Sequence, residues 1–599
     1  MTRLHHPNLL VFLSPLLAGV CMSGGCDLPG EDAGTTTGGT DGTGGTDGTG
    51  GPEDCPLLDQ ADLADDTTLS AGCHYVSSML QVNRRLDIEA GAELRFASSA
   101  GLVVGSDGVL AAVGTPDMPV LMTADGVDWM GLRFAGSASS ENRLENVTVE
   151  QAADTAVQLD PGARLAVVGS TITGAGEIGL AATADTELSV ATTTFSANKL
   201  PLSVSIEVAH GLAADNVFDG NDRSFVQVES GTLADPVQWN ALPVPYRFTG
   251  DAKVAAALTL SPGVVIEMPQ DARFYVLDTG ALTAAGTPEA PITIRGVQDE
   301  RGYWMGISFA SKTSDNVLSN CVVANGGSGQ WNGDAESIGM VWLDDESKVQ
   351  VSNCTLRASG GPALTIKPFL GAADIAGFAD NTITGNRATL QIPPANVHQV
   401  ASSNTFDGND EAFIRVGRTY FPGAGLAAIS APATWLRQPI PYRIMEGTRI
   451  ESDLVIEAGT EIEVTQDTPI IVRDTGSLRA VGTAEAPIVF RGVEPLQGYW
   501  QGIRIESQST DNVFDYVDLM HGGSRPFTGD SESDGLIFLY GGSVTISNTS
   551  LSDSGGYGVT IAGFGSSGAL LGCAGVTFSN NAKGDVYLDP NANGTSECP

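Results

Sequence analysis

Two matched, glycine-rich insertions hold the residues best suited to chemistry in this 599-residue chain. One extends from Asn325 to Ser337 and the other from His521 to Asp534. Both follow the order Gly-Gly-Ser-x-x-aromatic-x-Gly-Asp-x-Glu. An aromatic ring beside carboxylates can stack on a sugar, and carboxylate oxygens are the ligands that Ca²⁺ prefers. The candidate ligand-binding residues are Trp331, Asp334, Glu336, His521, Phe527, Asp530 and Glu532.

Calcium is the one cofactor that this pattern suggests, and no other is predicted. Its candidate ligands are the four carboxylates of the insertions, Asp334, Glu336, Asp530 and Glu532. Acidic loops rich in glycine are also common as solvated protrusions, so this alternative stays open.

Catalysis by acid and base needs a tighter set of residues, with paired carboxylates beside a basic group. Asp65-Asp66 precedes the first predicted strands, and Asp344-Asp345 has only Lys348 as a basic neighbour in sequence. We therefore predict no catalytic residue and favour a protein that is not an enzyme.

The insertions occupy equivalent places in a sequence that repeats three times. Leu86-Asp-Ile-Glu-Ala-Gly returns as Leu258-Thr-Leu-Ser-Pro-Gly and as Leu454-Val-Ile-Glu-Ala-Gly. Each copy then has a Gly-Thr turn, a Pro-Ile or Pro-Val strand and a Trp-x-Gly strand, the last starting at Trp129, Trp304 and Trp500. Repetition at a fixed period is typical of solenoids, in which length adds units rather than core thickness.

The repeats divide the chain into five segments. Residues 55–245, 246–441 and 442–599 are the three predicted units of about 170–196 residues, and the third is truncated. Residues 1–25 read as a signal peptide because an apolar run follows Arg3 and is too short to span a bilayer. Residues 26–54, rich in Gly, Thr and Asp, are expected to form a flexible tether.

Short runs that alternate apolar and polar residues, separated by Gly, Asn, Asp and Pro, predict an all-β protein. Apolar triplets recur so that every third one falls roughly 22–26 residues on, as three strands per coil require. The order apolar-x-apolar-Glu-x-Gly, Gly-Thr, Pro-Ile, Trp-x-Gly-Ile resembles secreted bacterial right-handed parallel β-helix proteins of the pectin-lyase-like class. That resemblance implies a β-helix scaffold for all three copies and says little about activity.

The segment Ser23-Gly24-Gly25-Cys26 resembles a bacterial lipoprotein signal, in which small residues precede a cysteine that becomes lipidated. Cys26 is the predicted attachment site, and Cys21 is the alternative. The resemblance implies an exported protein of the cell envelope, either an outer-membrane lipoprotein or one at the cell surface. Contact with the membrane is expected only through this anchor.

Six cysteines remain after Cys21 and Cys26, and they form three pairs along the chain. Cys55–Cys73 and Cys573–Cys598 lie at the two ends of the repeat body, where a disulfide would hold terminal coils in place. Cys321–Cys354 is the third candidate disulfide, with buried packing of two free cysteines as its alternative.

The charge balance narrows the range of partners. With 71 acidic and 30 basic residues the formal net charge is −41, which argues against nucleic acid. A polysaccharide or a surface protein is the expected partner, and a monomer is expected. The sequence therefore predicts an envelope-tethered β-helix with a structural, adhesive or binding role. The alternative is a polysaccharide lyase or glycoside hydrolase on the same fold.

Overall fold

The computed structural model describes residues 55–126, 128–333, 337–367, 373–418, 426–563 and 567–598. The chain is an all-β parallel solenoid of the right-handed type, with 47% strand and 2% helix in about 21 turns. The predicted fold class is thus confirmed. The predicted signal peptide, the tether, Cys21 and Cys26 lie outside the described residues. The division into three units stays a prediction, and unit 1, unit 2 and unit 3 denote residues 55–245, 246–441 and 442–599.

The strands of unit 1 are β1 (Leu57–Leu58), β2 (Thr67–Leu69), β3 (Gly72–Val76), β4 (Met79–Val82), β5 (Arg85–Glu89), β6 (Ala92–Phe96), β7 (Gly101–Val104), β8 (Val109–Val113), β9 (Val120–Ala124), β10 (Leu132–Phe134), β11 (Arg143–Glu145), β12 (Val147–Glu150), β13 (Thr155–Leu159), β14 (Arg164–Val168), β15 (Thr171–Thr173), β16 (Ile178–Ala182), β17 (Glu187–Ala191), β18 (Thr194–Ser196), β19 (Leu200–Ser205), β20 (Val217–Asp219), β21 (Val226–Glu229), β22 (Gly231–Leu233) and β23 (Val237–Trp239). A 3-10 helix spans Ala209–Gly211.

The strands of unit 2 are β24 (Tyr246–Phe248), β25 (Ala252–Val254), β26 (Ala257–Leu260), β27 (Val265–Met268), β28 (Arg273–Val276), β29 (Ala281–Ala285), β30 (Ile292–Gly296), β31 (Gly306–Phe309), β32 (Val317–Ser319), β33 (Cys321–Ala324), β34 (Val341–Leu343), β35 (Gln350–Ser352), β36 (Thr355–Arg357), β37 (Pro362–Ile366), β38 (Thr382–Thr384), β39 (Ala388–Ile392), β40 (Thr405–Asp407), β41 (Ile414–Val416), β42 (Ala427–Ile429) and β43 (Ala433–Trp435). A 3-10 helix spans Pro394–Gln399.

The strands of unit 3 are β44 (Tyr442–Ile444), β45 (Thr448–Ile450), β46 (Asp453–Ile456), β47 (Glu461–Val464), β48 (Pro469–Val472), β49 (Ser477–Val481), β50 (Ile488–Gly492), β51 (Gly502–Ile505), β52 (Val513–Asp515), β53 (Val517–Met520), β54 (Gly535–Leu539), β55 (Ser543–Ser547), β56 (Ser550–Ser552), β57 (Tyr557–Ile561), β58 (Ala569–Gly572), β59 (Thr577–Ser579), β60 (Gly584–Leu588) and β61 (Thr595–Ser596).

Alternation along each strand builds the core, because successive side chains point to opposite faces of a sheet. In β5, Leu86 and Ile88 are buried while the residues on either side are more exposed. Leu86 stands in register with Leu110 of the next coil, so apolar residues stack along the axis. Asn320 and Asn353 turn the corners between strands with left-handed φ values of 49° and 53°, a conformation that asparagine tolerates better than most residues.

The strands form seven parallel sheets. Sheet 1 runs β1-β3-β6-β9-β12-β15-β18-β20, sheet 2 runs β4-β7-β10-β13-β16-β19-β21-β24-β27-β30-β33-β36-β38-β40, and sheet 3 runs β2-β5-β8-β11-β14-β17. Sheet 4 runs β22-β25-β28-β31-β34-β37-β39-β41-β44-β47-β50-β53-β56-β59, sheet 5 runs β23-β26-β29-β32-β35, sheet 6 runs β42-β45-β48-β51-β54-β57-β60, and sheet 7 runs β43-β46-β49-β52-β55-β58-β61. Sheet 2 continues from unit 1 into unit 2, and sheet 4 continues from unit 2 into unit 3. Strand pairing is therefore unbroken at both junctions.

The repeated motifs change sheet at each junction. The Trp-x-Gly strands are β10 in sheet 2, β31 in sheet 4 and β51 in sheet 6. The Pro-Ile or Pro-Val strands are β9 in sheet 1, β30 in sheet 2 and β50 in sheet 4. Sheet 2 thus carries the tryptophan motif in unit 1 and the proline motif in unit 2. Equivalent residues advance by one face of the solenoid from each unit to the next.

A ladder of opposite charges begins directly after the first junction, on the outside of sheet 2. Glu267 is 4% exposed, and its two carboxylate oxygens accept hydrogen bonds from Arg247 and Arg295, each at 2.8 Å. The three residues are in register on β24, β27 and β30. Such charge-assisted bonds are about twice as strong as neutral ones.

The start of unit 3 repeats this ladder on sheet 4. There Arg443 and Arg491 donate to Glu463 at 2.8 Å and 2.9 Å. The strands involved are β44, β47 and β50. The first coils of unit 2 and of unit 3 are therefore joined by the same arrangement, a carboxylate held between two guanidinium groups.

Disulfides close both ends of the described solenoid. Cys55–Cys73 joins the segment before β1 to β3, and Cys573–Cys598 joins the penultimate turn to the last one. Disulfides of this kind are typical of exported proteins. Among the described residues no helix is long and apolar enough to cross a membrane.

The third expected disulfide is wrong, because Cys321 and Cys354 are free and buried. The two residues do lie in neighbouring coils, since Val322 pairs with Thr355. Each thiol, however, donates to a carbonyl of the preceding coil, Cys321 to Ala284 at 3.1 Å and Cys354 to Leu318 at 3.3 Å. The hydroxyl of Ser170 makes the same bond to Leu144 in unit 1. This position therefore selects a small buried donor, and Ser and Cys both satisfy it.

Candidate functional site

The insertion of unit 3 lies at a corner of the solenoid, between two of its sheets. It leaves β53 in sheet 4 and returns at β54 in sheet 6. Its tip is held by the backbone bond from Phe527 N–H to the Ser533 carbonyl at 3.0 Å. The Ser533 hydroxyl also accepts a bond from the Thr528 N–H at 3.0 Å and donates to the Asp530 carbonyl at 2.7 Å. The insertion is therefore a folded turn that projects from the corner of the coil.

This turn forms one wall of a pocket of about 250 Å³ on the outer face of sheet 6. The opposite wall and the floor come from the strands of the next two coils. Residues of the insertion, of β54, of β57 and of β60 meet there because the coils are in register: Phe538 pairs with Thr560, and Thr560 with Tyr587. The lining residues are Thr528, Asp530, Glu532, Ser533, Phe538, Tyr540, Thr560, Ile561, Ala562, Gly563, Tyr587 and Asp589.

Aromatic rings cover one side of the pocket. Phe527 stacks on Phe538 with ring centroids 5.4 Å apart, and Phe538 lies 6.0 Å from Tyr540. Tyr540 is 45% exposed, whereas Phe538 is buried, so Tyr540 presents the accessible ring. Tyr587 is backed by Tyr557, whose ring lies parallel to it at 4.9 Å.

A network of ionisable side chains supports the other side. The Tyr557 hydroxyl donates to Glu532 at 2.7 Å. Lys583 lies 3.1 Å from Asp534 and donates to the Ser531 carbonyl at 2.7 Å. These bonds tie the insertion to the two coils that follow it, so Glu532 and Asp534 are held in place by residues far away in sequence.

The network shifts the pKa values of its two acids in opposite directions. Burial raises the pKa of Asp534, and the nearby Lys583 opposes this effect only in part. The hydrogen bond from Tyr557 lowers the pKa of Glu532. Burial, together with the bond to Glu532, raises the pKa of Tyr557 to about 12. Glu532 is thus fixed as a carboxylate at neutral pH.

The predicted residues of unit 3 have different positions. Asp530 and Glu532 line the pocket, and Phe527 supports it by stacking on Phe538. His521 does not line it. His521 has a left-handed φ of 68°, and its carbonyl accepts bonds from the backbone N–H groups of Tyr499 and Trp500 at 2.6 Å and 3.1 Å. Burial lowers the pKa of its ring, and the position serves the turn.

The insertion of unit 2 starts with the same local fold, but its described part lacks the counterparts of Asp534 and Tyr557. Trp331 N–H donates to the Ser337 carbonyl at 2.8 Å, and its indole N–H donates to the Gly339 carbonyl at 2.9 Å. Ile338 stands where unit 3 has Asp534, and Pro362 stands where it has Tyr557. Asp334 and Glu336 lie outside the described residues.

The calcium prediction gains no support from this geometry. In the part of the chain that the structure describes, no group of three or more His, Cys, Asp or Glu side chains is arranged to hold a metal ion. The candidate ligand Glu532 bonds Tyr557 instead. Calcium binding through Asp530 and Glu532 stays a prediction.

Several residues of the site were not predicted from the sequence. Asp534 ends the insertion but was not among the candidate residues, Phe538 and Tyr540 follow the insertion, and Tyr557, Lys583, Tyr587 and Asp589 belong to later coils. The signal that could have found the later ones is the coil period itself. Tyr587 lies 27 residues after Thr560, its partner in register, so advancing by one coil from the insertion leads to these side chains.

No family model, curated protein or solved structure matches this chain. The functional argument therefore depends on the pocket and on the scaffold that holds it.

Proposed function

We propose that this protein is an exported β-solenoid, tethered to the cell envelope, that binds a polysaccharide through the pocket of unit 3. The observation that carries the proposal is the combination of Tyr540 and Tyr587 with carboxylates along one rigid concave surface. Sugar rings have apolar faces that stack on aromatic side chains and hydroxyls that donate to carboxylates. Binding residues placed on loops over a rigid scaffold suit this role.

The tether is the second part of the proposal. The apolar run near the N-terminus, the Gly-Gly-Cys26 sequence and the Gly- and Thr-rich segment 27–54 support lipid attachment followed by a flexible spacer. The two disulfides support an oxidising, exported location. Mass spectrometry of the mature protein tests the anchor, and an unmodified N-terminus downstream of Cys26 would contradict it.

Binding can be tested on a panel of neutral, acidic and basic glycans, followed by calorimetry with the best ligand in the presence and absence of Ca²⁺. Tyr540→Ala and Tyr587→Ala each remove a lining ring, and we expect affinity to fall roughly 5- to 30-fold, as losing one stacking contact implies. Leu496→Ala is the matched control, because Leu496 is a 59% exposed apolar residue of unit 3 outside the pocket. Equal effects of all three variants, or no binding by any glycan, would refute the proposal.

A polysaccharide hydrolase or lyase is the second candidate. The opposite pKa shifts of Asp534 and Glu532 favour it, since such a pair can divide the roles of acid and base. Lys583 lies within 3.5 Å of both carboxylates, which ties them into an ion-pair network instead of leaving them free for a substrate. New reducing ends or unsaturated-uronate absorbance, abolished by Asp534→Asn, would establish the enzyme and contradict a binding-only role.

A further inference from the structure

The charged residues that line the pocket of unit 3 are all acidic. Asp530, Glu532 and Asp589 contribute carboxylates to its lining, and none of the lining residues is Lys or Arg. Asp534 adds a fourth carboxyl group next to them: it is 7% exposed, and its Oδ1 atom has no hydrogen-bond partner among the described residues. A cationic ligand would meet no like charge in this lining.

Two basic side chains near the pocket, Lys583 and Arg504, already have acidic partners. Lys583 donates to the Ser531 carbonyl and pairs with Asp534 and Glu532. Arg504 pairs with Glu506 at 2.7 Å, and its guanidinium lies 4.3 Å from the ring centroid of Tyr540. The Lys583 charge offsets only one of the acids around it. The pocket as a whole therefore stays negative.

The carboxylates are held in place before any ligand arrives. Asp530 accepts a bond from the Glu532 N–H at 3.1 Å. Asp589 is 7% exposed, and its Oδ1 atom accepts bonds from the backbone N–H and the side-chain amide of Asn591 at 2.7 Å and 3.2 Å. A carboxylate has about four acceptor positions, so these bonds leave capacity for a ligand. Fixed acceptors lower the ordering cost of binding.

The aromatic wall favours the same ligand class. Tyr540 and Tyr587 line the pocket together with the carboxylates, and the face of a tyrosine ring attracts a cation. A sugar that carries a protonated amine has both an apolar ring face to stack and a positive charge to pair. The net charge of −41 would also steer such a ligand towards the protein.

We infer that the pocket of unit 3 selects amine-bearing sugars, that is, oligosaccharides of unacetylated hexosamine, over neutral and acidic ones. The inference rests on the proposed function and names its ligand class. The pocket binds the sugar ring against Tyr540 and Tyr587, and the ammonium group pairs with Asp530 or Asp589.

The test compares two tetrasaccharides that differ only at the amino groups: β-1,4-linked glucosamine, whose amines carry charge, and its N-acetylated form, whose amides are neutral. In calorimetry at a pH where the amines are protonated, the intact mature protein should bind the amine form at least roughly tenfold more tightly. The preference should shrink as salt is added, because exposed charges are screened. Equal affinities, or a preference for the acetylated form, would overturn the inference and leave the proposed function standing. If neither these nor any other glycan binds, both fail.

A protein of this charge attracts cations over its whole surface, so the variants must separate the pocket from that background. Asp530→Asn and Asp589→Asn should each weaken binding of the amine tetrasaccharide about tenfold and leave any binding of the acetylated form unchanged. Asp511→Asn is the matched control, because Asp511 is an exposed carboxylate of unit 3 that does not line the pocket. If Asp511→Asn weakens binding as much as the pocket variants do, the attraction belongs to the general surface and the inference is wrong.

Discussion

The charge ladder at the start of unit 2 predicts that Glu267→Gln will weaken the contacts among β24, β27 and β30. Both oxygens of Glu267 accept from arginine, one from Arg247 and one from Arg295, at 2.8 Å. A hydrogen bond to a charged group contributes about 1.5–3 kcal/mol net, against about 0.5–1.5 kcal/mol for a neutral one. The amide would also turn its NH₂ group towards one of the guanidinium groups. Because both arginines are partly exposed, we expect a local loss of about 2–3 kcal/mol.

Hydrogen exchange is the right assay, because in a solenoid each coil contacts mainly its neighbours and the global melting temperature averages over all of them. A loss of 2–3 kcal/mol corresponds to roughly 30- to 150-fold faster exchange of the amides in β24, β27 and β30. Glu461→Gln is the control: Glu461 is 53% exposed and lies 3.5 Å from Arg491, so its effect should stay under about 1 kcal/mol. Equal exchange in the two variants at β24, β27 and β30 would refute the claim that the buried carboxylate joins these consecutive coils.

Three further outcomes follow from the same structure. Replacing Cys573 and Cys598 by serine opens a loop of 25 residues and should cost about 3.5 kcal/mol, seen as faster hydrogen exchange confined to the last two coils. Trp500→Ala empties a fully buried site and removes the indole bond to the Met520 carbonyl, so unfolding in denaturant should show a loss of about 3–5 kcal/mol. Burial raises the pKa of Asp534 above its unfolded value of 3.8, so its contribution to stability is greatest below that pH and is lost as the pH rises through the folded pKa. Wild-type protein should therefore gain stability relative to Asp534→Asn as the pH falls towards 4, and a parallel pH dependence of the two proteins in denaturant would contradict this.

Most of the fold followed from local pattern. Alternation over three to five residues fixes which side chains point inward, and glycine, asparagine and proline fix where each strand ends. The coil period could also be predicted, since Thr171 pairs with Thr194 one coil later. The prediction correctly placed Cys321 and Cys354 in neighbouring coils, but it was wrong that they form a disulfide. Whether two stacked cysteines form a disulfide depends on the distance between their Cβ atoms and the direction of each side chain, and that requires coordinates.

Only the residues within the insertion could be predicted from the sequence, because the rest of the site depends on how the coils stack. The composition of the insertion predicted a binding loop, and it identified Asp530 and Glu532 as candidate residues. Tyr557, Lys583 and Tyr587 carry no motif, and they reach the site because coils of unequal length stack in register. Lys583 stands beside Asp534 because the turn before β60 contains one residue more than the equivalent turn before β39, where Arg387 alone separates Asn386 from Ala388. A single inserted residue of this kind changes the chemistry of a corner without changing the strands.

The repeated motifs advance by one face of the solenoid from each unit to the next. This advance explains why the scaffold repeats but the pocket does not. The insertion of unit 2 joins sheet 2 to sheet 4, whereas that of unit 3 joins sheet 4 to sheet 6. The two insertions therefore lie over different corners of the solenoid, so a single flat ligand cannot contact both of them. In unit 2, Ile338 and Pro362 stand where unit 3 has Asp534 and Tyr557, so the described residues of that corner lack two members of the ionic network, whereas the backbone turn at Trp331 is kept. The turn and the ionic network are therefore separate features of a corner.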